Sequence, residues 1–290
     1  MILLGSPAGL RDFQLSVNGV TLGPGTPYLV HAVEGLGLPE VRHTDAQRAG
    51  TDGNWYGVDA IDGRTLTLSV TVVGADPASA RAAYDTLMGA WWLPPGVPYL
   101  TLNLKLPGRE ENIIGGRPRR AEADTTRLLG RRVGVTLTLV AADPRIYSST
   151  TYGVPASLPV APGGRVYPRV YPLTFGGTGT SGAVLATNTG NTAVWPLITV
   201  TGPCTSPVIT NSATGAWIGA ALTLGPTDVL TIDTDQRTIT LNGTASRRST
   251  LIPGSTWWPM LPGVTQLTYT AQGYAAASQS ALAWRNAWIG

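Results

Sequence analysis

From Val194 to Ala271 the chain alternates short apolar runs with turn residues at a regular beat. The runs are 195–200, 207–210, 216–222, 229–233 and 237–242, and Gly, Pro, Asn or Asp fills the gaps between them. Strands this short, spaced this evenly, predict an antiparallel β-sandwich. The plainest hairpin is 229–242. There Leu230, Ile232, Ile239 and Leu241 alternate with polar residues on either side of Asp235-Gln236, so one face is buried and the other wet. Downstream, Trp257-Trp258, the Pro262-Gly263 turn and the alternating run 265–270 supply aromatic bulk and a closing strand.

The first half has a different pattern. Residues 13–17 alternate as a strand, Asn18-Gly19 is a hairpin turn of the favoured kind, and 28–33 reads as a further strand. Residues 34–54 carry Gly35, Gly37, Pro39, Gly50 and Gly53 among polar neighbours. They read as a long loop, either an interaction arm or a disordered segment. Residues 55–61 and 64–73 are expected to pair across Asp62-Gly63, with Leu66, Leu68, Val70 and Val72 on one face. A helix is predicted from the N-cap Asp76, with Pro77 at its first position, to about Trp92, where Pro94-Pro95 stops it. Ala80, Ala83, Tyr84, Leu87, Met88 and Trp91 form its apolar stripe, which packs on a sheet or, alternatively, meets a partner. Strand, helix and strand in this order make the first half α+β, and the chain as a whole is mainly β.

A length of 290 residues favours two domains, drawn here as 1–153 and 154–290, with a Pro/Gly-rich linker at 152–169. Residues 174–182, rich in Gly and Thr, read as a connecting loop. Hydrophobic residues at 43% against charged residues at 13% leave ample material for two cores. Charge is divided unevenly: residues 1–150 hold 14 basic and 14 acidic side chains, residues 151–290 hold 6 and 3. A surplus this small, without clustered cations, argues against nucleic-acid binding. The single cysteine, Cys204, excludes an intrachain disulfide and reads as a buried structural thiol. The N-terminus lacks the pattern of a signal peptide, and no apolar run approaches the roughly 20 residues of a membrane span.

Interleaved charges at 109–132 form one candidate surface. Arg117, Arg119, Arg120, Arg131 and Arg132, with Arg109, Glu110, Glu111, Glu122, Asp124 and Arg127, make either an intersubunit or lumen-facing belt or a solvated hairpin with local ion pairs of at most about 1 kcal/mol each. Catalytic material is sparse. His31 and His43 are the only histidines, and the His43-Thr-Asp45 cluster sits in the Gly-rich stretch. No nucleophile elbow, zinc-binding helix or phosphate-cradling loop is present. Paired carboxylates for glycoside hydrolysis would have to come from Asp228, Asp233 and Asp235, two of which flank a hairpin turn, where Asp serves the backbone. The expectation is a non-enzyme with no cofactor and no metal.

The run Gly-Ala-Trp-Ile-Gly at 215–219, the hairpin Leu-Thr-Ile-Asp-Thr-Asp-Gln-Arg-Thr-Ile-Thr-Leu-Asn-Gly at 230–243, and Trp257-Trp258 with Pro262-Gly263 together resemble the galectin-like C-terminal domain of siphophage distal tail proteins. Val140-Ala-Ala-Asp-Pro-Arg-Ile-Tyr147 resembles the phrase that ends that family's ring-forming N-terminal domain, and 283–289 resembles its ending. The resemblance lies in the order of the pieces. It implies a homo-hexameric ring, formed by the N-terminal domains and assembled in the host cytoplasm, at the distal end of a long non-contractile tail. The implied partners are the major tail tube protein, the tape measure protein, and a tail-associated tip or receptor-binding protein. The rival expectation is a carbohydrate-binding module for host-surface glycans, in which Trp217, Trp257 and Trp258 stack sugar rings. Whether those tryptophans lie open beside polar groups or sealed in the core discriminates the two.

Overall fold

The computed structural model describes residues 5, 7–124, 126, 131–159, 182–272 and 277–290. The chain divides into two compact units, one of residues 3–150 with 288–290, the other of residues 1–2 with 151–287.

In the first unit an antiparallel sheet runs in the order Val20–Leu22, Leu15–Val17, Leu100–Leu104, Asn112–Asp124, Arg132–Ala141, Arg64–Val73, Tyr28–Glu34. The Asn18-Gly19 turn expected from sequence is present, with both residues at positive φ (44° and 84°). Arg64–Val73 alternates strictly: Leu66, Leu68, Val70 and Val72 are buried and the threonines and serine between them face outward. Asn112–Asp124 links the two halves of the sheet. Its start pairs with Leu100–Leu104 and its end with Arg132–Ala141, and a register shift falls at Pro118, which cannot donate a ladder hydrogen bond. Gly116 stands at the change of partner, where a Cβ would lie 2.8 Å from the Leu139 side chain.

The helix is Pro77–Trp91. Asp76 and Ser79 form a reciprocal capping box, Ser79 N–H donating to Asp76 Oδ1 at 2.7 Å and Asp76 N–H to Ser79 Oγ at 3.0 Å. Ala80, Leu87 and Trp91 are buried and Ala83, Tyr84 and Met88 pack partly against the same core, so the whole apolar stripe is used on the sheet.

The segment before the central strand corrects the sequence reading. Residues 55–61 do not pair with Arg64–Val73, because that strand has both edges filled: by Arg132–Ala141 in unbroken register and by Tyr28–Glu34. Instead the supposed loop folds on itself as an arm. Val41–Arg42 pairs with Ala60–Ile61, and Ala46–Gln47 with Asn54–Trp55. Asp62 closes the base, its N–H donating to Glu40 O at 2.8 Å and its carboxylate 3.2 Å from Arg42 Nε.

The second unit is a sandwich of two antiparallel sheets. One orders Tyr152–Ser157, Gln279–Trp284, Leu197–Thr201, Val229–Asp233, Thr238–Leu241, Ala245–Ser246; the other orders Ala183–Asn188, Gly263–Gln272, Cys204–Asn211, Trp217–Gly219. The 229–242 hairpin has the expected register, Leu230 opposite Leu241 and Ile232 opposite Ile239, with Leu230, Ile232 and Ile239 fully buried. The stretch expected as a linker opens with a strand, Tyr152–Ser157, paired to Gln279–Trp284. Its continuation at 160–169, and 174–181 of the expected connecting loop, lie outside the described residues.

Candidate interaction surfaces

The two histidines lie apart. His31 is the extra residue of a bulge between Val30 and Ala32, and its Nε2 lies 2.8 Å from Thr71 Oγ1. His43 is exposed in the arm. Its neighbours pin the arm: Val58 N–H donates to Thr44 Oγ1 at 3.0 Å and Gly57 N–H to Asp45 Oδ1 at 2.9 Å. Gly57 is obligatory there, since a Cβ would stand 2.2 Å from Thr44 O. Asp233 Oδ1 accepts from Asp235 N–H and Gln236 N–H to shape the hairpin turn. Asp228 accepts from Gly225 N–H and Asn242 Nδ2, bonds that hold its carboxyl below the usual range, the Asn242 bond foremost. Asp45, Asp228, Asp233 and His31 are therefore occupied with local scaffold contacts. Among the described residues no group of three or more His, Cys, Asp or Glu could hold a metal ion, and no helix is long and apolar enough to cross a membrane. Cys204 is free and buried.

The five arginines separate. Arg117, Arg119 and Arg120 line one groove of about 610 Å³ beside the end of the helix, together with Trp91, Trp92, Pro95 and Val97. Arg117 Nε donates to Pro98 O at 2.7 Å and Arg120 pairs with Glu122, whereas Arg119 is exposed and makes no such bond. Arg131 lies elsewhere, donating to Ala75 O at 2.9 Å beside the start of the helix, and the exposed Arg132 sits opposite Val73. Within one chain they fall into two groups, Arg117, Arg119 and Arg120 at the groove and Arg131 and Arg132 near the start of Arg132–Ala141. Arg127 lies outside the described residues.

The three tryptophans differ in exposure, and the 256–257 segment lies beside Trp217, Thr256 N–H donating to Trp217 O at 2.8 Å. Trp258 is sealed at 3% exposure. Trp257 is half-buried beneath the Arg248 guanidinium, 5.4 Å from its ring centroid, and Trp217 is half-buried against Gly254.

Two side chains anchor distant segments, a role that the sequence did not signal. Arg64 is 1% exposed and has no carboxylate partner; it donates from Nε to Pro144 O at 2.9 Å and from Nη1 to Gly35 O and to Gly37 O, the latter at 2.7 Å. Burial lowers its pKa, yet a guanidinium stays charged at neutral pH. It ties the root of the arm to the 140–147 phrase. That phrase is itself knit together: Tyr147 donates its hydroxyl to Asp143 Oδ2 at 2.6 Å and accepts from Arg145 at 3.2 Å, while burial first, and the charge of Asp143 next, push the phenol up. Glu111, expected as part of a charge belt, is the second anchor. Its carboxylate accepts from the N–H groups of Ala8, Gly9 and Leu10 at 2.7, 3.1 and 3.2 Å and from Asn103 Nδ2 at 2.7 Å. Spacing in sequence could not show a side chain bonded across about a hundred residues.

Residues 189–288 match the family model described as siphovirus-type tail component, C-terminal domain. No curated protein matches the chain. Among solved structures, the chain is similar to the SPP1 Dit (gp 19.1) protein, described as a paradigm of hub adsorption apparatus in Gram-positive infecting phages, with TM-score 0.68 and 15% identity over 96% of this chain and 99% of that one. It is also similar to chains of the phage P2 baseplate in its activated conformation, with Ca (TM-score 0.55, 9% identity, 96% and 98% covered) and with Sr (TM-score 0.52, 9% identity, 95% and 98% covered). The resemblance to siphophage distal tail proteins is thus borne out, in residues 189–288 by the family model and along nearly the whole chain by the fold.

Proposed function

We propose that this chain is the distal tail hub of a long, non-contractile phage tail. Six copies form a ring through residues 1–153, assembled in the host cytoplasm; the ring stacks on the tail tube, around the tape measure protein, and the sandwiches of residues 154–290 offer docking platforms to tip or receptor-binding proteins. The role is mechanical. The ring presents a fixed symmetry to the tube on one side and repeats its outer surface for the tip, so what matters is the rigidity of each unit and the fit of its edges. One observation carries this reading: a hub-protein fold along 96% of the chain coincides with an independent tail-component match in its second half. The residues weighed for catalysis support a non-enzymatic role, since His31, Asp45, Asp228 and Asp233 serve a bulge, an arm contact or a turn. Sugar stacking loses support because Trp258 is buried and Trp257 is already covered by Arg248.

Multi-angle light scattering on the full chain across a concentration series tests it. The expected mass approaches six times the 30.3 kDa of one chain as concentration rises. A strict monomer, even with purified tail tube protein added, counts against the ring.

A further inference from the structure

Residues 40–61 are exposed without a break. They form two short two-stranded ladders, and isolated pairs of strands are marginal in water. Yet Trp55 is 63%, Tyr56 95% and Val58 78% exposed, an apolar display that marks a surface awaiting a partner. The arm is nonetheless built for a definite shape: Thr44, Asp45 and Gly57 lock its middle, Arg48 stacks on Trp55 at 4.4 Å, and Arg64 holds its root.

The groove beside the helix end is its complement. Trp92, 69% exposed, and Val97, 44% exposed, give it apolar walls with Pro95, and the indole N–H of Trp91 is buried there without an acceptor. Charge is opposed. From Leu38 to Gly63 the arm carries Glu40, Asp45, Asp52, Asp59 and Asp62 against Arg42 and Arg48. The groove is lined by Arg117, Arg119 and Arg120 and by no acid, Glu122 beside it being taken by Arg120. The arm does not occupy its own chain's groove, since residues 40–61 are all open to solvent.

We propose that the arm of one copy seats in this groove of a second copy, with Trp55, Tyr56 and Val58 against Trp92 and Val97, and Asp59 facing Arg119. Two different patches meet, so the contact is head-to-tail, and repetition of such a contact closes a ring when the rotation allows. The inference rests on the ring reading and supplies its interface.

The test uses the full chain. Asp59→Arg and Arg119→Glu are each expected to weaken self-association about tenfold or more by light scattering, as like charges are brought together. An equimolar mixture of the two variants restores assembly, because alternating copies re-pair every charge. Tyr56→Cys with Trp92→Cys then yields a ladder of cross-linked multimers with a bismaleimide, while the wild type, whose Cys204 is buried, gives none. Unchanged melting temperatures verify folding. Assembly that neither charge reversal nor mixing alters, or a missing ladder, overturns the arm-in-groove contact and leaves the ring standing. A wild-type chain that stays monomeric and a cysteine pair that gives no ladder overturn both.

Discussion

The hairpin at 229–242 and the arm at 41–61 share their ingredients, short alternating strands around a polar turn, yet Ile232 and Ile239 are fully buried while Trp55, Tyr56 and Val58 stand in solvent. The first lays its apolar face over a sheet of its own unit. The second has no sheet of its own unit beneath it. A pattern of apolar and polar positions therefore reports that a face will be covered, and is silent on whose surface covers it.

The sharpest way to separate the two is truncation of an apolar side chain in each. Ile232→Ala leaves a cavity between packed sheets and is expected to cost about 2–5 kcal/mol, read as a fall in the melting transition of the sandwich by calorimetry. Val58→Ala in the arm should leave the monomer's melting unchanged within about 0.5 kcal/mol and act only on assembly. An equal loss at both sites would mean that the arm is packed within the chain, and would erase the contrast.

A smaller effect is expected at the arm's root, where one buried side chain joins the exposed arm to the core. Arg64→Met removes the donors to Gly35 O, Gly37 O and Pro144 O, three part-buried bonds made by a buried guanidinium, a loss of about 1–3 kcal/mol. Faster amide exchange should appear at residues 35–42 and 60–64. Arg42→Ala breaks only the exposed 3.2 Å pair with Asp62 and should cost about 0.5 kcal/mol or less. If the two variants behave alike, the arm is held by its own ladder and the buried guanidinium is incidental.

Sequence reading succeeded where period and local turn chemistry decide the outcome. The capped helix with its whole stripe, the Asn18-Gly19 turn, the 229–242 register and the sandwich class all follow from residues a few positions apart. It failed where partners are distant. Asp62-Gly63 looked like a turn joining 55–61 to 64–73, but Arg64–Val73 takes its neighbours from residues 28–34 and 132–141, and competition for strand edges cannot be read locally. The arginines at 117, 119 and 120 were legible as a cluster, and 131 and 132 were not separable from them until the hairpin placed them at opposite ends. Trp92 was visible only as the residue that ends the helix, not as a groove wall.

The smallest effect concerns Glu111, whose neighbour Glu110 was indistinguishable from it in sequence. Burial raises the Glu111 pKa, but the bonds from Ala8, Asn103, Leu10 and Gly9 outweigh it, and the carboxyl ends below its ordinary value of 4.5. A carboxyl depressed on folding contributes stability that is fully present above that ordinary value and is lost as pH falls through the lower, folded one. Glu111 is half-buried at the surface, so solvent screening keeps the contribution at about 1 kcal/mol or less. The measurement is the stability of the first unit from pH 6 down to pH 3, together with amide protection at residues 8–10. The wild type should lose both toward the acid end of that window, whereas Glu111→Gln should start lower and change little with pH. An identical acid profile in the two proteins would show that residues 8–10 are held by something other than this carboxylate.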